Sequence, residues 1–291
     1  MIDYDLPLWR PPSEGDNLII QASIGCSFNH CTFCSMYRSK DYRARPLEDV
    51  QADIDQAAKD WPHATRVFLA DGDAWGLPTD TLLAICAHLK LRFPALQRVS
   101  AYATPFNLIR KSVEELQALR QACMGLAYVG IESGSDMLLK KITKGSAAQM
   151  EAGLLRAIEG GIKVSATVIN GLGGKTHWRE HVEATAAMVS RAPPTYLSTL
   201  QLVLTEETTP IYFERFKEDF IPQDDAGILD ELALLIDRIN PSKPIIFRSN
   251  HASNALALAG NLPKDKASLL EQIQQAATGE QALRPRWLRG L

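Results

Sequence analysis

Short apolar runs alternate along this chain with longer stretches in which apolar residues recur three and four positions apart. The runs at Leu18–Ala22, Arg66–Ala70, Arg98–Ala103, Leu126–Ile131, Lys163–Ile169 and Tyr196–Leu204 predict strands. Between them the helical period predicts helices over Pro46–Trp61, Thr79–Phe93, Val113–Ala122, Ser146–Gly160 and His177–Arg191. Turn chemistry agrees, since Pro62 stops the first helix, Pro78-Thr79 opens the second and Gly160-Gly161 closes the fourth. Repeated alternation of strand and helix argues for an α/β fold of parallel strands joined by right-handed crossovers. Residues able to carry polar chemistry cluster just after the strands, where folds of this class place their sites.

After Pro210 the pattern changes. Residues 222–240 read as a helix, Pro244–Arg248 as a strand running into Ser249-Asn250-His251-Ala252-Ser253-Asn254, and Pro263–Ala277 as a last helix. The expected organisation is an N-terminal extension over 1–17, a core over 18–210 and a C-terminal extension over 211–291. That extension is expected to cover the core and contribute to substrate binding. The tail Arg284-Pro285-Arg286-Trp287-Leu288-Arg289 is basic with one aromatic, the composition of a solvated terminus.

At 291 residues and 46% hydrophobic, the chain can bury a substantial core as one large or two small domains. A net charge of -3 leaves no whole-chain electrostatic footprint for nucleic acid or an anionic membrane. Residues 1–17 carry no apolar segment of the signal-peptide kind, and no apolar stretch is long enough to span a bilayer. A cytoplasmic protein is the expectation.

Five cysteines change the picture. Cys86 and Cys123 lie in apolar, helical surroundings and read as small buried hydrophobes. The other three, Cys26, Cys31 and Cys34, fall within nine residues directly after the first predicted strand. A [4Fe–4S] cube needs a ligand on each iron, so three thiolates leave one iron open, whereas structural zinc takes four closed ligands. A zinc module using His30 as the fourth ligand is the competing reading. It is disfavoured because adjacent His30 and Cys31 cannot both reach one tetrahedral ion without strain.

The cysteine run and the loops after successive strands resemble the radical S-adenosylmethionine (SAM) superfamily, in particular the branch of the Elongator catalytic subunit and the tRNA methylthiotransferases. The resemblance covers about residues 18 to 205 and implies a partial (β/α)6 barrel. The spacing here is C-x4-C-x2-C where the superfamily usually has C-x3-C-x2-C. The resemblance implies a [4Fe–4S] cluster on Cys26, Cys31 and Cys34, with SAM chelated at the open iron. Reductive cleavage would then give a 5′-deoxyadenosyl radical that abstracts hydrogen from substrate, the electron coming from a donor such as flavodoxin or ferredoxin.

It also implies roles for residues that match the family's motifs. Phe33 stands at the aromatic position beside adenine. Gly72 and Asp73, in Ala70-Asp71-Gly72-Asp73, stand where the family carries Gly-Gly-Glu against the SAM amino group. Glu132, with Ser133 in Gly130-Ile131-Glu132-Ser133-Gly134, matches the ribose-binding acid. Lys144 is placed to meet the SAM carboxylate, and Ile169 with Gly171 matches the adenine-packing Ile-x-Gly element. Apart from those motifs, the third strand offers Ser100 or Tyr102 as a candidate contact to SAM or substrate.

The lack of a cobalamin-binding segment before residue 18 and of a second cysteine group argues against cobalamin-dependent methylation and methylthio transfer. Arg248, Asn250 and His251 are the expected substrate contacts, suited to an anionic or amide-bearing ligand. His30 and His177 are read as packed or solvated. A small molecule or tetrapyrrole-like substrate is expected, with RNA as the alternative suggested by family kinship and the basic tail.

Overall fold

A computed structural model describes residues 2–217 and 220–290. In chain order the elements are β1 (Leu18–Gln21), β2 (Ser23–Ile24), β3 (Arg43–Ala44), α1 (Leu47–Asp60), β4 (Arg66–Ala70), α2 (Thr79–Arg92) and β5 (Arg98–Ala103). Next come α3 (Pro105–Ile109), α4 (Val113–Gln121), β6 (Met124–Glu132), α5 (Asp136–Lys141), α6 (Ala147–Glu159) and β7 (Lys163–Asn170). The chain closes with α7 (Gly174–Arg191), β8 (Tyr196–Gln201), α8 (Thr208–Phe216), α9 (Asp225–Arg238), β9 (Ile245–Arg248), β10 (Ala259–Leu262) and α10 (Lys266–Ala277).

The chain folds as two compact units. The first comprises the chain up to Asn29, Met36–Val129 and Leu155–Val164; the second comprises His30–Ser35, Gly130–Leu154 and the chain from Ser165 on.

In the first unit the strands run in the order β1-β4-β5-β6, all parallel, with Leu18 opposite Val67 and Arg66 opposite Arg98. Val67 to Ala70 on β4 are all fully buried. Such a continuous apolar run is what a parallel strand covered on both faces requires. α1 packs on α2, and α2 on α4. The short antiparallel pair β2–β3, with Ser23 opposite Ala44, joins the two ends of the cysteine-bearing segment.

In the second unit β7, β8 and β9 are parallel and β10 returns antiparallel to β9. Here the faces differ. Leu197, Thr199, Ile245 and Phe247 are fully buried, whereas Tyr196, Ser198, Ile246 and Arg248, on the opposite face, are only half-buried.

Every expected strand and helix is present; β4 and β5 keep the expected bounds and the others have shifted ends. The strand expected to reach Leu204 stops at Gln201, whose N–H is taken by the Asn254 side chain at 2.7 Å and the Ser253 hydroxyl at 3.2 Å. Side chains from a later loop replace the next rung of the ladder. Cys86 is fully buried on α2, and burial, with Cys123 adding to it, raises its thiol to about 12. Cys123 is not helical: it sits in the turn after α4 with φ +77°. α3, α5, α8 and β10 carry too few periodic residues to be read from sequence. Among the described residues no helix is long and apolar enough to cross a membrane.

Candidate functional site

The first unit holds the start of the cysteine segment. β1 ends at Gln21, and a fully buried Asp71, directly after β4, gathers the segment's two ends. Its Oδ2 accepts hydrogen bonds from the Gly25 N–H at 3.1 Å, from Gln21 Nε2 at 3.3 Å and from Lys40 Nζ at 2.8 Å. Lys40, 3% exposed in its side chain, also donates to the Asp5 carbonyl. A buried ion pair of this kind earns little net stability but fixes geometry, because either partner alone would be an uncompensated charge. Asp71 and Lys40 thus clamp the base of the loop that begins at Gly25.

Gly72 follows. A side chain there would meet Cys26, with a Cβ lying 2.7 Å from the Cys26 Cβ and 3.0 Å from the Tyr37 ring. Only glycine lets the turn lie this close against the first thiol. Next in line, buried Asp73 accepts from the Ser27 N–H at 3.2 Å and from the Ser27 hydroxyl. Burial raises its pKa, opposed by the hydrogen bonds from Ser27 and Asn107. Ser100 is fully engaged elsewhere: its hydroxyl donates to the Glu14 carboxylate at 3.0 Å. Tyr102 packs edge-on against Phe68 at 5.2 Å between ring centres.

The second unit holds the rest of the segment. The Thr32 N–H donates to the Ile142 carbonyl at 3.2 Å, which seats the Cys31–Cys34 turn beside the end of α5. Cys31 is buried; Phe33 and Cys34 are half-buried. Lys144 forms an ion pair with Glu132 at 3.1 Å. Burial by itself lowers the Lys144 pKa, but Cys31, Glu132 and Cys34 together hold it above the ordinary lysine value. Glu132 ends β6 in the left-handed region, φ +58°. A Cβ at Gly130 would strike the Glu132 carboxylate and lie 3.2 Å from Lys144 Nζ. A glycine and a strained glutamate at one strand end, beside two thiols, mark a position shaped for more than packing.

Two residues unremarked in the sequence hold the neighbouring strand ends. Buried His181, on α7, shares a 2.8 Å hydrogen bond with the Ser133 hydroxyl and bonds to the Ile169 backbone. Burial lowers its pKa to about 4, so the ring is neutral at physiological pH. Buried Glu231, on α9, accepts from the Gly171 N–H at 2.7 Å and from Gln223 Nε2 at 3.1 Å; burial raises it to about 7, against those bonds. The signal was present in the sequence. Each polar residue interrupts a buried helical stripe, His181 that of Val182, Thr185 and Met188 and Glu231 that of Ile228, Leu232 and Leu235. His177 is not the residue at this position.

Ser133, expected at the cofactor, is therefore engaged with His181 and the Ser135 N–H, and Ser135 caps α5. Ile169 is 7% exposed. Of the three expected substrate contacts, Arg248 lies on the half-buried face of β9, Asn250 is exposed, and His251 Nδ1 bonds to the Ser253 hydroxyl at 2.9 Å. The structure does not gather three His, Cys, Asp or Glu side chains into a metal-holding group among the described residues.

The pattern of the Radical SAM superfamily matches residues 20–189, more than half of the chain. The chain belongs to the radical SAM superfamily. It is 29% identical over 185 residues to a putative methylthiotransferase of Methanocaldococcus jannaschii, covering 58% of this chain and 39% of the relative. It is 25% identical over 206 residues to a tRNA-2-methylthio-N(6)-dimethylallyladenosine synthase of Halorhodospira halophila, covering 65% of this chain and 43% of the relative. The chain thus spans about two fifths of these relatives' length. Among solved structures it resembles the radical SAM methyltransferase TsrM from Kitasatospora setae, with tryptophan and a SAM analogue bound, at a TM-score of 0.56 and 20% identity, covering 69% of this chain and 38% of that one. This likeness shows the fold, the α/β barrel type of parallel strands.

Within that family the residues present fit the iron–sulfur and SAM groups its members use. Thiolates are the soft donors a [4Fe–4S] cluster takes. The glycine seat against Cys26 follows β4, and Glu132, paired with Lys144 of the α5–α6 turn beside Cys31 and Cys34, ends β6, so both sit at strand ends, where this fold binds ligands.

Proposed function

We propose that this chain is a radical SAM enzyme in which Cys26, Cys31 and Cys34 hold a [4Fe–4S] cluster, SAM takes its fourth iron, and the substrate is a small molecule. The observation that carries the reading is that the matched region, 20–189, contains the thiol segment, the Gly72 seat against Cys26 and the Glu132–Lys144 pair. When bound there, such a cluster would supply the electron for reductive cleavage of SAM.

The chain's own residues do the positioning. Asp71 and Lys40 fix the base of the cysteine loop, and Gly72 with Asp73 meets the SAM amino group. Glu132 and Lys144 satisfy each other until the ribose hydroxyls and the carboxylate of SAM take over, Glu132 accepting and Lys144 donating. Ile169, Gly171 and Phe33 enclose adenine, and His181 and Glu231 hold the strand ends that carry these contacts. Residues 18–210 form the core, and the extension over 211–291 supplies β9 and its substrate-facing Arg248. A ferredoxin or flavodoxin in a reducing, cytoplasmic setting serves as electron donor.

The test is anaerobic reconstitution of the full chain. About four irons per chain are expected, with deoxyadenosine formed under dithionite and both lost in Cys31→Ala. A colourless chain carrying zinc would overturn the reading.

RNA as substrate is favoured by the tRNA-modifying relative. Two of the basic tail's arginines count against it: Arg289 pairs with Asp225 at 2.6 Å, and Arg284 donates to the carbonyls of His251 and Ala252 at 2.9 Å. An RNA substrate predicts tRNA binding that weakens steeply with salt.

A further inference from the structure

One face of the second unit's sheet carries, among the described residues, several hydroxyls with no internal partner and an arginine with no internal acid. Thr167 on β7 stands opposite Ser198 on β8, and Ser198 stands opposite Arg248 on β9. Two positions earlier, on the same face, Ser165 lies opposite Tyr196. Ladder partners point to the same face, and the alternating burial of β8 and β9 confirms which face that is. Ile169, the residue proposed to pack on adenine, shares this face and lies opposite Leu200. By strand spacing Arg248 stands about 12 Å from Ile169, two strands across and one pleat back.

Several hydroxyls elsewhere in the same unit are engaged, Ser133 with His181, Ser135 with Glu180, Thr185 with the His181 carbonyl and Ser253 with His251, whereas those of Thr32, Thr143 and Thr199 are buried without a partner. On this face, among the described residues, the hydroxyls of Ser165, Thr167, Tyr196 and Ser198 make no hydrogen bond. Arg248 uses one nitrogen, Nη1, on the carbonyls of Phe247 at 2.7 Å and Gly260 at 3.4 Å, and no described carboxylate pairs with it. A half-buried guanidinium without an anion is costly, and its remaining N–H fork matches a carboxylate in two-point contact.

The chain itself shows what such a set binds. In the first unit, on parallel strands β5 and β6, Arg98, Ser100 and Tyr128 converge on one oxygen of the Glu14 carboxylate at 2.7, 3.0 and 2.5 Å. The β7–β9 face of the second unit carries the same side-chain types, and among the described residues no acid pairs with them.

Resting on the reading above, we propose that Arg248, with Ser198 and Thr167, binds a carboxylate of the small-molecule substrate. The structure thereby singles out Arg248 from the Arg248, Asn250, His251 group and adds the two hydroxyls. The substrate is an organic acid held by its carboxylate on the β7–β9 face, which leaves its remaining carbons directed along the face towards Ile169.

The test is a thermal-shift titration of the full chain with succinate, at ionic strength matched by sodium chloride, in wild type, Arg248→Gln and Arg248→Lys. Wild type is expected to gain several degrees, Arg248→Gln to lose most of that gain, and Arg248→Lys to keep part of it because the charge remains without the fork. General salting-out would raise all three alike, so equal shifts overturn the proposal, as does no shift in wild type. A parallel titration with inorganic phosphate separates the sources: a shift with phosphate alone overturns the carboxylate assignment. If Arg248→Gln does not fold, Ser198→Ala combined with Thr167→Val carries the same prediction of a reduced shift. Iron content and deoxyadenosine formation measured on wild type fail only if the function proposed above is wrong, whereas the succinate shift fails only if this inference is wrong.

Discussion

Two polar clusters built from the same side-chain types behave in opposite ways in this protein. On β5 and β6, Arg98, Ser100 and Tyr128 close on Glu14, which is fully buried. On β7 to β9, Thr167, Tyr196, Ser198 and Arg248 share one face, half-buried, with no acid among them. The difference teaches that residue type does not separate scaffold from binding surface; whether the chain supplies the counter-group does. Ser100, which sequence reasoning offered to SAM or substrate, belongs to the scaffold for that reason.

Breaking the closed cluster should have the largest effect. Glu14→Ala leaves Arg98 without its acid and takes one partner from each of the Ser100 and Tyr128 hydroxyls around a buried void, and it should destabilise the chain by about 3–5 kcal/mol, read from the denaturant midpoint. Glu231→Gln should act in the other direction and depend on pH. Its carboxyl is raised by burial from the usual range to about 7, so between those values the folded chain binds the proton more tightly than the unfolded one. Stability therefore falls as pH rises through this window and stays low above it. The glutamine keeps an acceptor for the Gly171 N–H without the charge, and should stabilise the chain above pH 7 by up to about 3 kcal/mol, fading towards pH 4.5. Urea midpoints at pH 5 and pH 8 check it.

Gly72→Ala is a smaller steric insult. Crowding Cys26 should cost about 1–3 kcal/mol and lower iron incorporation, measured by iron content after reconstitution. Arg248→Gln sharpens the comparison from its other side. With no internal carboxylate to lose, its effect on stability should stay below about 1 kcal/mol, in contrast to Glu14→Ala. An equal loss in the two variants would erase the distinction between the clusters.

Much of this was legible in the chain because parallel strands buried on both faces leave continuous apolar runs, and Val67–Ala70 reads as one at a glance. The thiol segment and the strand-end motifs around Gly72, Glu132 and Gly171 were equally visible, being local in sequence. What escaped were contacts that join distant segments. His181 reaches Ser133 across 48 positions and Glu231 reaches Gly171 across 60, and neither pairing leaves a local periodic trace. Strand ends were misjudged where side chains replaced ladder bonds, as Asn254 does at Gln201. Short helices such as α3 and α5 depend on caps, Thr104 and Ser135, more than on pattern.

The central claim is a three-thiolate cluster with one iron left for SAM. Electron paramagnetic resonance of the dithionite-reduced, anaerobically reconstituted chain, recorded before and after adding SAM, tests it most directly. The account predicts a [4Fe–4S] signal that changes when SAM binds and is absent from Cys26→Ala, Cys31→Ala and Cys34→Ala alike. A signal indifferent to SAM, or one that survives loss of any of the three cysteines, would contradict it.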